Sequence, residues 1–243
     1  MKLGIMQPYF FPYLGYFSLI DHVDKWVIFD DVQYIEKGWI NRNRIIHPTE
    51  DAWMYFTVPV CKHHREEKIK NITIDRNRHF ETEILGKIRS SYKKRAPYYK
   101  EVLELFEDCL FYKAEHISEY NEYAMQKVCE YLNISFDYQV YSKMNLNLGE
   151  VKEAGDWALE ISKAMGADEY VNPIGGRFLF DIQKFKQNNI QLSFLEQELI
   201  PYNQKKKSFI EGLSMIDVMM FNSKDEIQEY MKNARILQSN CER

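Results

Sequence analysis

The chain has 243 residues, 45% apolar and 28% charged, which suits one large domain with a substantial core. A net charge of −4 speaks against a nucleic-acid binder, and no apolar run approaches the roughly 18 residues of a membrane span. The four cysteines, Cys61, Cys109, Cys129 and Cys241, are scattered without a CxxC pair, which fits reduced thiols and offers no metal pattern.

In chain order, KLGIM at residues 2–6 predicts a buried strand. The run after it turns polar and aromatic too soon for a signal peptide, so a cytoplasmic location is expected. A turn with Pro8 and Pro12 leads into YLGYFSLIDHVD, whose Leu14, Phe17, Leu19, Ile20 and Val23 lie near helical spacing. KWVIFDD is a second strand. Strand, helix and strand in so short a span predict a βαβ unit with parallel strands. RIIHPTEDAWMYFTVPV reads as a hairpin turning at Pro-Thr-Glu-Asp, and KIKNITI as a further strand. From Asn77 to Leu132 the pattern is helical, with Ile117, Tyr120, Ala124, Val128 and Tyr131 near one face. The stretch at about 45–134 thus reads as a hairpin and helical insertion within a single domain spanning residues 1–243. SFDYQVYSKM is strand-like. EAGDWALEISKAMG is a helix ending at Gly166, and DEYVNP is a strand. GRFLFDIQKFKQNN aligns Phe178, Ile182 and Phe185 as a helix, and IQLSFLEQ alternates as a strand. SFIEGLSMIDVMMF follows. Ser223 with Glu226 then forms a capping box that opens a terminal helix. The expected fold is α/β, a Rossmann-like parallel sheet.

Open α/β sheets bind ligands at the carboxyl ends of their strands, where strand order reverses. Four segments qualify: Gln7 to Tyr16, Asp30 to Arg44, Ser142 to Asn147 and Asn172 to Arg177. Asp30 and Asp31 surface at the end of a buried strand, where paired carboxylates serve as a base or cation site, or merely as a turn and helix cap. Gln33 lies just beyond. Asn41, Arg42, Asn43 and Arg44 combine two guanidinium forks with two amides, suited to phosphate or carboxylate. In YVNPIGGR, Asn172 ends a strand, and Gly175 and Gly176 let backbone amides approach an anion, with Arg177 adding charge. At the first turn, Gly15 allows a tight helix start and Tyr13 and Tyr16 point hydroxyls into the crevice. Phe10, Phe11 and Phe17 build its wall, unless the aromatics are a plain core plug. The spacing of Cys61, His63 and His64 fits no zinc site, so no metal is expected.

MKLGIMQPYFFPYLGYFSLI, GWINRNRI, TVPV, YVNPIGG and LSMIDVMMFN together resemble the WbqC-like family of bacterial proteins, through nearly the whole chain. That resemblance implies a place in O-antigen or other lipopolysaccharide biosynthesis. It implies transfer of an acyl or aminoacyl, glycine-type, group to the amine of a nucleotide-linked amino sugar. The partners would be a nucleotide sugar and a small acyl or aminoacyl donor, with oligomerisation left open. Asp30 or Asp31 would take the amine proton, and Arg42, Arg44 and the Gly175–Gly176 amides would hold phosphate or oxyanion. A remoter similarity links the opening βαβ unit to HIGH-type nucleotidyltransferases such as pantothenate synthetase. Tyr13 and Tyr16 stand at the two histidine positions of HxGH, and Gln33 stands where a glutamine binds the acid. This similarity implies ATP as a co-substrate and an adenylate-forming alternative. A non-catalytic nucleotide-sugar-binding protein is the reading outside enzymes.

Overall fold

In the computed structural model, which describes residues 1–239, the opening run forms strand β1 (Lys2–Met6). Helix α1 (Leu14–His22) and strand β2 (Lys25–Ile28) follow, with β2 parallel to β1 and Ile5 opposite Val27. Leu3, Ile5 and Val27 face one core layer, while Trp26 and Ile28 face the other. Both faces of the strands are covered, which is why these runs are continuously apolar.

The hairpin forms from β3 (Arg42–Ile46) and β4 (Trp53–Thr57) and is a separate two-stranded sheet. KIKNITI does not make a strand. It curls into a 3-10 turn at Ile69–Asn71, flanked by isolated bridges. The helical region divides into α2 (Phe80–Tyr92), α3 (Tyr99–Leu110) and α4 (Ile117–Leu132), with Pro97 in the first break. Next come β5 (Tyr138–Val140), α5 (Asp156–Met165) and β6 (Glu169–Pro173). Gly166 caps α5 at φ 66°, in the left-handed region.

The helix expected over GRFLFDIQKFKQNN is split. Ile174–Leu179 is a 3-10 turn, and α6 (Ile182–Gln187) starts afresh because the Asp181 side chain accepts from the Gln183 and Lys184 amides. β7 (Gln191–Gln197), α7 (Met215–Phe221) and α8 (Lys224–Lys232) follow. The Ser223–Glu226 capping box opens α8 as the sequence predicts. A last strand, β8 (Ala234–Gln238), is not foreseen in the sequence.

The main sheet runs in the order β5-β2-β1-β6-β7-β8, parallel except for the edge strand β8. This is an α/β, Rossmann-like fold. Residues of α5 and α6 pack on one face, while α1, α8 and the insertion pack on the other. The hairpin and helices share their core with the sheet. From β1 the chain steps to β2 on one side, and it later returns to place β6 on the other. The carboxyl ends of β1 and β6 therefore flank the point where strand order reverses. Among the described residues, no helix is long and apolar enough to cross a membrane.

Candidate functional site

The aromatic turn between β1 and α1 is built from the inside. Phe10, Phe11, Tyr16 and Phe17 are fully buried. Phe11 sits at φ 42°, an uncommon conformation for so bulky a side chain. Buried amides hold it there. Asn43 Nδ2 donates to the carbonyls of Phe10 (3.0 Å) and Phe11 (2.8 Å), and the Ser214 hydroxyl donates to the same Phe11 carbonyl (2.8 Å). Asn121 Nδ2 donates to the carbonyls of Pro8 and Ile40. The core-plug reading therefore holds for the phenylalanines and for Tyr16.

Beside this turn lies a cleft of about 1170 Å³ at the carboxyl ends of β1, β6 and β7. It gathers Gln7, Tyr13, Gln33, Asn43, Arg44, Asn172, Gly175 and Gly176, drawn from three of the four segments singled out in the sequence. Burial raises the phenol pKa of Tyr13, helped by nearby Tyr9, so its hydroxyl is a proton-bearing donor at neutral pH. The Arg44 guanidinium lies between the rings of Trp39 (5.2 Å) and Trp53 (5.1 Å) and donates to the Gly212 carbonyl at 2.9 Å. None of these partners is an anion. Among the described residues, Arg44 Nε is buried without a hydrogen-bond partner, as is Gln197 Oε1 on the same cleft wall. Asn172 accepts from the buried Tyr170 hydroxyl (2.9 Å) and donates to the Pro173 carbonyl (2.9 Å). A Cβ at Gly176 would strike the Asn172 amide, whereas Gly175 has open space around it.

The other sequence candidates lie outside the cleft lining. Tyr16 turns its hydroxyl onto the Gln7 carbonyl at 2.7 Å, so it does not point into the crevice. Gly15 makes room for the Tyr13 ring, since a Cβ there would come within 2.6 Å of it. Asp30 is 2% exposed and accepts from the Ser142 amide (2.9 Å) and hydroxyl (2.7 Å), tying β2 to the segment after β5. Asp31 pairs with Lys68 (2.9 Å) and Lys70 (2.8 Å). Burial works against its ionisation, but hydrogen bonds from Lys70 and Lys68 hold its pKa below the ordinary range. Neither aspartate is placed to take a proton from a ligand in the cleft. Asn41 is buried and donates to the Val58 carbonyl at 2.8 Å. Arg42 donates to the carbonyls of Gly38 and Lys37 and stacks 4.1 Å from the Tyr55 ring, so its fork closes a turn. Arg177 is exposed on the 3-10 turn. Ser142–Asn147, the fourth segment, contributes no lining residue. Of the cysteines, Cys61, Cys109 and Cys129 are free thiols, and Cys241 lies outside the described residues.

Residues not singled out in the sequence complete the cleft. Glu196 and Gln197 come from the end of β7, and Trp39, Trp157 and Phe178 supply aromatic walls. The rule about strand carboxyl ends points to Glu196 as well, because IQLSFLEQ is itself a strand of the same sheet. Among the described residues, Arg44 and Glu196 are the only charged side chains that line the cleft.

Comparison with known proteins agrees with the motifs. The model of the WbqC-like protein family matches residues 7–229. The chain is 26% identical over 238 residues to the uncharacterized protein Rv1507c of Mycobacterium tuberculosis, covering 96% of this chain and 99% of that protein. No solved structure matches. The family match takes in the aromatic turn, the hairpin, the insertion and all the strands from β2 to β7, and the chain belongs to the WbqC-like protein family.

Proposed function

We propose that the protein transfers an acyl or aminoacyl group to the amine of a nucleotide-linked amino sugar, in the making of a bacterial surface polysaccharide. The observation that carries this reading is the charge content of the cleft: among the described residues, one arginine without an anionic partner and one carboxylate, Arg44 and Glu196, on otherwise uncharged walls. Arg44 offers a planar fork to a phosphate of the acceptor. The neutral amine attacks the carbonyl carbon of an activated donor such as a thioester. The C–N bond forms, the C–S bond breaks, and the amine proton passes to the Glu196 carboxylate. Glu196 takes the role expected of Asp30 or Asp31, whose carboxylates are tied to Ser142 and to two lysines. Tyr13 and Gln7 supply hydrogen bonds to the sugar, and open space at Gly175 lets the ligand approach the backbone.

The ATP-dependent alternative draws less support, because Tyr16, at the second histidine position of HxGH, is committed to a backbone carbonyl. The test is incubation with a panel of nucleotide-linked amino sugars and acyl thioesters or aminoacyl donors, read by mass spectrometry for the amide product. Glu196→Gln is expected to keep sugar binding and lose turnover. Sugar binding with no product from any donor would contradict transfer, and ATP–pyrophosphate exchange driven by an acid would favour the adenylate reading.

A further inference from the structure

The cleft is larger than one polar ligand needs. Its volume of about 1170 Å³ exceeds the roughly 300–1,000 Å³ typical of a pocket for a single small molecule. Exposed large apolar side chains also gather on it. Ten large apolar side chains are exposed among the described residues, and five of them, Ile35, Trp39, Phe178, Leu179 and Leu199, line this cleft. They come from three separate segments: the loop before β3, the 3-10 turn after β6, and the chain after β7. Single exposed hydrophobics need no cause, but convergence from three loops onto one concavity does. Phe178 is 83% exposed and Ile35 60% exposed, so the fold itself does not use them.

A nucleotide sugar seated on Arg44 would leave this rim in water. Its phosphates and sugar are also a poor match for these apolar side chains. Trp39 connects the two environments: its ring stacks on the Arg44 guanidinium and is also 37% exposed on the cleft. With the acceptor's phosphate on Arg44, the flexible apolar tail of a second ligand running over Trp39, Ile35 and Phe178 fits this arrangement. A flat protein face would not follow a concave wall with a cation inside it.

We infer that the mouth is a subsite for an aliphatic chain of medium or greater length, and that this chain is the acyl group of the donor. The identity of the chain as acyl rests on the transfer reading above; the presence of a chain subsite does not.

The test is calorimetric titration with the straight-chain carboxylates acetate, butanoate, octanoate and decanoate, each below its micellar concentration. Affinity is expected to climb with length, by up to about fourfold for each methylene buried. Phe178→Ser and Ile35→Ser, at exposed positions, should leave the unfolding midpoint unchanged while weakening decanoate by roughly tenfold and leaving acetate alone. Equal affinity for acetate and decanoate would overturn the inference. So would a length dependence that both variants leave intact, or a dimer in sedimentation that the variants dissolve. Titration with a nucleotide-linked amino sugar separates the two claims. If the sugar fails to bind while the chain series holds, the acceptor is wrong and the chain subsite stands. If the sugar binds and the series is flat, the chain subsite alone fails.

Discussion

Tyr13 and Tyr16 stand three residues apart at the start of one helix and meet different surroundings. Tyr16 is fully buried against Trp26 and Phe17, with its hydroxyl on the Gln7 carbonyl. Tyr13 is half-buried and opens onto the cleft. Tyr16→Phe is therefore expected to cost about 1 kcal/mol of stability through one lost hydrogen bond, and to leave ligand affinity unchanged. Tyr16→Ala should cost about 3–5 kcal/mol by leaving a cavity. Tyr13→Phe should barely move the unfolding midpoint and should weaken nucleotide-sugar binding by roughly tenfold. Urea unfolding and calorimetry on the same three variants check both halves. The sequence shows tyrosines at helical spacing but not which hydroxyl finds a backbone partner. That depends on where the turn folds back, which buried Asn43, Asn121 and Ser214 decide. The same limit applies to Arg42 and Arg44. On β3 they point the same way by period, yet one reaches the Lys37 and Gly38 carbonyls and the other reaches the cleft.

At the scale of elements, the chain between β7 and α7 forms a strap fixed by one carboxylate. Asp217, fully buried on α7, accepts from the hydroxyls of Tyr92 on α2 (2.6 Å) and Tyr202 on the strap (2.7 Å), and from Gln204 (2.9 Å). Gln204 in turn brackets both backbone groups of Ile210, two residues before the Gly212 carbonyl that orients Arg44. Burial raises the Asp217 pKa, and the three hydrogen bonds only partly oppose it. A carboxylate with a folded pKa above its unfolded value binds more protons when folded. Stability then falls as pH rises from the ordinary aspartate value, about 3.9, to the raised one. Asp217→Asn lacks this slope. In urea unfolding at stepped pH, the native chain should lose stability relative to Asp217→Asn as pH rises through that window; a gap constant with pH would contradict it. Asp31 acts in the opposite sense. Its lowered pKa adds stability that is present above the ordinary aspartate value and lost as the pH falls through the lowered one. Most elements were legible in the sequence because their signals are local: apolar runs for β1, β2, β6 and β7, and a capping box for α8. KIKNITI was not, since its alternation serves a turn that lays Ile69 and Ile72 into the core. Nor was β8, whose residues are mostly exposed and take strand form only because β7 offers an open edge.

For the whole molecule, the order β5-β2-β1-β6-β7-β8 places the cleft where β1 and β6 part company. Periodicity in the sequence implies a parallel sheet and the rule for where ligands bind, and eight of the predicted residues do meet there. It does not imply strand order, so the contribution of β7, and with it Glu196, passes unnoticed. The edge strand has its own consequence. Ending the chain at Asn233 would strip β8 from Ser193–Gln197 and expose a paired edge. That variant should scatter light on standing at concentrations where the full chain stays clear. The account turns on Arg44 as the ligand's anchor, and calorimetric titration of a nucleotide-linked amino sugar into native protein, Arg44→Ala and Arg42→Ala tests it most directly. Loss of roughly tenfold or more in affinity is expected for Arg44→Ala alone, the size of one charge-assisted hydrogen bond. Equal affinity in native protein and Arg44→Ala, or a loss confined to Arg42→Ala, would contradict it.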